Sequence, residues 1–160
     1  MNKGTKNSIS FDSSFVKHIN ERLDFGEIVK KMSKNLLSKK LVTTDYPRAV
    51  KDREIKFPTG LPTEPVGVAI PHTDPKYVVD NAVSVAVLKY PIEMTVMGTT
   101  TNKVSVSIIF LLSLAQSNKQ LNILKRIMSV VQNQSLLKSF STESDEEITQ
   151  QVEKAILEEI

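Results

Sequence analysis

The chain has no cysteine. That absence excludes a disulfide framework, a thiol nucleophile and a zinc–thiolate site. Histidine is nearly as scarce, at two residues, and the carboxylates are scattered, so the inventory for a metal site is poor and no metal is expected. No apolar run reaches the length of a membrane span. The opening Met1-Asn2-Lys3-Gly4-Thr5-Lys6-Asn7 has no apolar h-region behind it and does not read as a signal peptide. Charge of one sign is also lacking: 21 basic against 18 acidic residues leave a net +3, and no basic stripe is interleaved with aromatics. Nucleic acid is therefore not an expected partner. What remains is ordinary soluble composition, 40% hydrophobic and 24% charged over 160 residues, which suits a single cytoplasmic domain spanning 1–160.

Periodicity divides the chain into a strand-and-helix start, a strand-rich middle and a helical end. Ile9-Ser10-Phe11 and Phe15 to Ile19 read as short extended segments. Asp24 and Glu27 have the spacing of a capping box, and Ile28, Val29, Met32, Leu36 and Leu37 then keep one helical face apolar as far as Lys39 or Lys40. A second helix opens at Pro47, runs to Glu54 and must stop before Pro58. Phe57-Pro58-Thr59-Gly60-Leu61-Pro62 is turn chemistry. Strands are expected over Val66 to Ile70, Ala82 to Leu88 and Val104 to Leu112, with an edge strand over Ile92 to Met97. Leu121, Leu124, Ile127, Met128 and Val131 mark a late helix, Ser135 to Phe140 a short one, and Ser144 with Glu147 caps a last one. This order predicts an α/β fold, a mixed β-sheet sandwiched by α-helices.

His72 ends the run Val66-Gly67-Val68-Ala69-Ile70-Pro71-His72. Pro71 lacks an N–H for the ladder, so pairing should stop there and leave the imidazole just past an inner strand's end. Ligand sites in α/β sheets often lie in that position. A neutral imidazole nitrogen is a competent nucleophile toward phosphorus, needing no metal if cationic donors share the charge on the equatorial oxygens. The other nitrogen must be held to set the tautomer, a task open to Thr73 or to the backbone of the turn. Arg53 offers a guanidinium fork that matches phosphoryl oxygens; alternatively it is a solvated helix residue paired with Asp52 or Glu54. His18 lies far from any motif and reads as structural or surface.

Arg53-Glu54-Ile55-Lys56-Phe57-Pro58-Thr59-Gly60-Leu61 followed by Gly67-Val68-Ala69-Ile70-Pro71-His72 resembles the enzyme IIA domains of the mannitol–fructose class of the bacterial phosphoenolpyruvate-dependent sugar phosphotransferase system. Tyr46-Pro47-Arg48-Ala49-Val50 and Asn118-Lys119-Gln120-Leu121 look most like the galactitol-type branch. The resemblance runs from about Ile9 to the last helix. It implies a cofactor-free phosphoryl carrier in which His72 is phosphorylated, Arg53 lies beside it and Thr59 is the turn threonine near the site. The donor would be the histidine phosphocarrier protein. The acceptor would be a cysteine of enzyme IIB, for uptake of galactitol or a related polyol or sugar. An alternative is a regulatory IIA-like protein whose His72 phosphorylation controls a binding partner. Many relatives in the mannitol and nitrogen-regulatory branches carry a second histidine where Gln120 stands here; a glutamine can hydrogen-bond phosphate oxygens without positive charge, so either Gln120 or a neighbour such as Lys119 substitutes, or the second group is dispensable. Phe57, Leu61, Val66 and Tyr77 are the candidate partner-binding residues on the turns that flank the strand end.

Overall fold

In the computed structural model, which describes residues 9–158 apart from the side chains of Ser117, Lys119 and Gln120, five strands form one mixed sheet. In chain order the elements are β1 (Val16–Ile19), α1 (Phe25–Ser38), α2 (Tyr46–Lys56), β2 (Gly60–Leu61), β3 (Gly67–Ala69), β4 (Ala82–Thr95), β5 (Lys103–Ser113), α3 (Ser117–Val130), α4 (Gln134–Ser139) and α5 (Asp145–Val152). The spatial order is β1-β4-β5-β3-β2. β1 runs parallel to β4 and β3 parallel to β5, while the β4–β5 and β2–β3 pairs are antiparallel.

Strand alternation divides the core into two layers. Val83, Val85 and Val87 of β4 and Phe110 and Leu112 of β5 pack with Ile123, Ile127, Ile148 and Val152 of α3 and α5. Ala82, Ala86 and Leu88 of β4 and Ile109 and Leu111 of β5 pack with Ile28, Val29, Met32 and Leu36 of α1 and Val50 of α2. The sheet thus lies between helices, as its sequence pattern predicts. The phase slips once. Gly67 pairs with Val106 but Val68 pairs with Ile108, so Ser107 is the extra residue of a bulge, and Val106 and Ile108 face opposite layers although they are two apart.

Both capping boxes form, Asp24 with Glu27 and Ser144 with Glu147. Several local expectations are corrected. Ala82 to Leu88 and Ile92 to Met97 are not two strands: β4 is continuous through Pro91, because its pairing with β5 skips from Val87 to Ile92 and requires no N–H from the proline. Gly60 and Leu61 leave the expected turn to pair with Ala69 and Val68 as β2. The Ile9–Phe11 segment contributes only a bridge from Ser10 to Ala82, and Phe15 belongs to a 3-10 turn, Ser13–Phe15, before β1. α2 starts at Tyr46 and extends to Lys56. On α3 the buried face is Ile123 and Ile127, while Leu121 and Met128 are exposed. The leader reading of Met1 to Asn7 lies outside the described residues. No helix among the described residues is long and apolar enough to cross a membrane.

Two glycines allow β2 and β3 to approach the β4–β5 hairpin. A Cβ on Gly60 would lie 2.6 Å from the Thr95 carbonyl oxygen, and one on Gly67 would collide with the Ser105 carbonyl oxygen. The obstacle at Gly67 is backbone, which cannot swing aside as a side chain can. Gly67→Ala is therefore expected to destabilise the fold by about 1–3 kcal/mol. Equilibrium urea unfolding would show it as a lower midpoint, and an unchanged midpoint would mean the two strands can separate without cost.

His18 has a structural job. Its Nδ1 hydrogen-bonds the Asp145 carboxylate at 2.8 Å and its Nε2 the Phe140 carbonyl at 3.1 Å, which ties β1 to the start of α5.

Candidate functional site

β3 and β5 are parallel, so their C-terminal ends open on the same rim of the sheet, and His72 lies there. Pro71 ends donation but not pairing: its carbonyl still accepts the Leu112 N–H at 3.0 Å. That end of β5 is itself pinned. The buried Tyr46 hydroxyl donates to the Leu112 carbonyl at 2.8 Å and accepts from Ser113 Oγ at 2.9 Å. Burial pushes the Tyr46 phenol far above its ordinary pKa, so it stays a neutral donor.

The imidazole is held by the main chain. His72 Nδ1–H donates to the Ile70 carbonyl at 2.9 Å. A carbonyl only accepts, so Nδ1 carries the proton and Nε2 keeps its lone pair. Thr73, the other residue able to hold the ring, is buried at the rim and makes no such bond. Burial holds the His72 pKa below its ordinary value; the Ile70 carbonyl opposes this shift and the Arg53 charge adds to it. The shift favours the neutral form of the ring.

The sign of that shift gives a pH prediction. Because the folded ring resists a proton that the unfolded ring takes near 6.5, its contribution to stability is present above pH 6.5 and is lost as pH falls through the lower folded value. An NMR titration of His72 is expected to give a midpoint below 6.5. A midpoint at or above that value would remove the case for a ring tuned by burial.

Arg53 lies on the last turn of α2 and pairs with neither Asp52 nor Glu54. Its guanidinium lies 4.7 Å from the centre of the Phe57 ring and 3.6 Å from Asp74 Oδ1. Its Nε is buried with no hydrogen-bond partner. A buried guanidinium donor left unpaired costs free energy unless something arrives to accept from it. Phe57, as C-cap of α2, holds the group from below. Arg53, Phe57, Thr73, Asp74 and Tyr77 line one shallow depression of about 270 Å³ beside the strand end.

Thr59 does not direct its hydroxyl outward. Its Oγ1–H and N–H donate to the two oxygens of Glu54, at 2.7 and 2.8 Å, and its carbonyl accepts the Ile70 N–H at 3.2 Å. Burial pushes the Glu54 carboxyl above its ordinary range, and the two Thr59 donors pull it back. Of the four candidate partner-binding residues, Phe57 is 57% exposed and Tyr77 half-buried at the depression. The other two are corrected. Leu61 is 4% exposed, facing the core from β2. Val66 precedes β3, at the far end of that strand from His72, and hydrogen-bonds Gln134.

The whole chain is similar to known proteins. Residues 10–155 match the family described as phosphoenolpyruvate-dependent sugar phosphotransferase system, EIIA 2. The chain belongs to this family. The galactitol-specific EIIA component of Escherichia coli K12 is 23% identical over 136 residues, covering 85% of this chain and 90% of that protein. The fold is that of a IIA structure from Streptococcus mutans, with a TM-score of 0.72 at 18% identity over 89% of each chain. It is likewise that of the IIA mannitol crystal structure from Escherichia coli, at 0.70 and 14% identity over 88% of this chain and 97% of that one. A chain in the Escherichia coli complex of enzyme IIAMTL with phosphorylated enzyme IIBMTL also matches, at 0.70 and 14% identity over 92% and 97%.

Within this EIIA chain, the residue that sequence reasoning missed is Glu54. The Arg53-Glu54 pair was visible as a motif, but only Arg53 has an obvious role toward a phosphoryl group. The available signal was the five-residue step from Glu54 at a helix end to Thr59 in a turn, which lets a carboxylate reach back to a threonine's two donors. Gln120 falls in the first turn of α3, which follows β5 on the rim that bears His72. Its side chain lies outside the described residues.

Proposed function

We propose that this EIIA chain accepts a phosphoryl group on Nε2 of His72 from the histidine phosphocarrier protein and passes it to a cysteine of enzyme IIB. The observation that carries the reading is the Nδ1–H bond to the Ile70 carbonyl, which leaves Nε2 as the nucleophile. In the first step the Nε2 lone pair attacks phosphorus, an N–P bond forms, and the donor's own P–N bond breaks with its electron pair returning to the donor ring. In the second step a thiolate attacks the same phosphorus and Nε2 leaves with its pair. Nδ1 keeps its proton throughout, held by Ile70. The Arg53 guanidinium shares the charge of the three equatorial oxygens while both bonds are partial. Thr59 and Thr73 support the phosphoryl site from the turn and the rim. The likeness to a galactitol-specific component supports galactitol or a related polyol as the sugar moved.

Two carriers must use one histidine in turn, so the surface at the rim should bind both weakly, with Phe57 and Tyr77 at its centre. The phosphocarrier and enzyme IIB are expected to compete for one face. Reconstitution with phosphoenolpyruvate, enzyme I, the phosphocarrier and a galactitol-type enzyme IIB tests the whole reading. Phosphate should appear first on His72 and then on the enzyme IIB cysteine, and NMR titrations with each partner should shift overlapping resonances. Stable phosphorylation without onward transfer, or two separate sets of shifted resonances, would refute it.

A further inference from the structure

Glu54 is the one group near the site whose position the reaction does not explain. It stands on the last turn of α2, next to Arg53 in sequence. Both of its oxygens are spent on Thr59. Thr59 is 3% exposed and passes the connection on through its carbonyl to the Ile70 N–H. The Ile70 carbonyl then takes the His72 Nδ1 proton. Four residues thus form one hydrogen-bonded line from the end of a helix to the nucleophile, and three of its four bonds involve main-chain atoms.

We propose that Glu54 is a positioning residue for His72, setting the imidazole tautomer and orientation through Thr59 and the Ile70 carbonyl; this rests on His72 being the phosphoryl-accepting residue. The carboxylate is suited to the task because it accepts only. Two donors on one residue, the Thr59 N–H and hydroxyl, converge on it and fix the Thr59 peptide in both position and rotation. With that peptide fixed, β2 can pair with β3 only where the Thr59 carbonyl meets Ile70, and Ile70 must then present its own carbonyl to the ring. A glutamine keeps only one of the two acceptors: its carbonyl can take the Thr59 N–H, but its N–H₂ requires the Thr59 hydroxyl to turn from donor to acceptor, and the charge that strengthens both bonds is lost. The link from Glu54 to the ring runs through these hydrogen bonds. Its influence should therefore appear in which ring nitrogen bears the proton, since a loosened Ile70 carbonyl allows the proton to move to Nε2 and block the nucleophile.

The test uses the full chain with ¹⁵N-labelled histidine. In the unphosphorylated wild type, the His72 ring nitrogens should report Nδ1–H with Nε2 bare. Glu54→Gln is expected to raise the Nε2–H population and to slow phosphoryl acceptance on the order of tenfold, as expected for a misplaced nucleophile. Thr59→Val keeps the N–H bond to Glu54 and loses the hydroxyl one, so it should show both effects in smaller measure and supplies the readout if Glu54→Gln does not fold. A variant that folds and transfers slowly with unshifted His72 nitrogens overturns the proposal, as does one that is less stable but transfers normally. If the wild type is phosphorylated somewhere other than His72, the functional reading fails instead. The tautomer measurement needs no phosphate, which keeps the two failures apart.

Discussion

Replacing His72 with alanine is expected to abolish phosphoryl acceptance from the phosphocarrier, whereas His18→Ala should leave it nearly intact. Both residues are half-buried imidazoles with hydrogen bonds to backbone or carboxylate, so burial alone does not separate them. Their bonds do. His18 spends both ring nitrogens, one on Asp145 and one on Phe140, and so has no lone pair to offer without breaking the tie between β1 and α5. His72 spends one nitrogen, and among the described residues nothing engages the other. Mass spectrometry after incubation with phosphoenolpyruvate, enzyme I and the phosphocarrier decides the matter. Normal labelling of the His72 variant would end the assignment. The His18 variant should instead lose about 1 kcal/mol of stability, the usual worth of a partly exposed hydrogen-bonded pair.

Arg53→Lys carries the second large effect, despite keeping the charge. An ammonium on a flexible stem cannot present parallel N–H groups to two equatorial oxygens, and it has no planar face to lay on Phe57. It also removes the buried Nε that stands without a partner and is placed to donate. The barrier to transfer should rise by about 2–4 kcal/mol, the scale of losing one preorganised donor to a developing charge. Rapid-quench transfer kinetics would read this directly. Rates within twofold of wild type would put Arg53 outside the reacting assembly and leave its ion pair with Asp74 as its whole role.

What was legible in the sequence was whatever is decided locally. Asp24 with Glu27 and Ser144 with Glu147 satisfy backbone donors three residues away, so their capping boxes can be read from spacing alone. The end of β3 just before Pro71 is legible for the same reason, although the Pro71 carbonyl still accepts from Leu112. β2 was not, because two residues beside Pro58 carry no periodicity and Gly60 is explained only by the Thr95 carbonyl of a distant hairpin. Pro91 reads as a break in β4 until the skipped register with β5 is known. The face of α3 was misjudged at Leu121 and Met128 because apolar residues on both sides of a helix satisfy the same period. At the site, His72 and Arg53 announce themselves by chemistry. The partner on Nδ1 was left open between Thr73 and the backbone, since a main-chain carbonyl has no letter in the sequence. Leu61 and Val66 read as partner surface from the sequence, since adjacency to a site does not tell which way a strand faces.

The order of strands in the sheet also sets a timetable for synthesis. β3 lies between β2, which has two residues, and β5, which is made more than thirty residues after His72. As the chain leaves the ribosome, His72 emerges early with its bond to Ile70 available. The strand that seats β3, the Leu112 amide that meets Pro71, and the carbonyl that Tyr46 must reach all emerge much later. A nascent chain that stops short of Ser113 therefore carries His72 without the rim that presents it. Under the proposed function, phosphoryl acceptance would have to wait until β5 is delivered and docked, and a partly made chain would draw no phosphate.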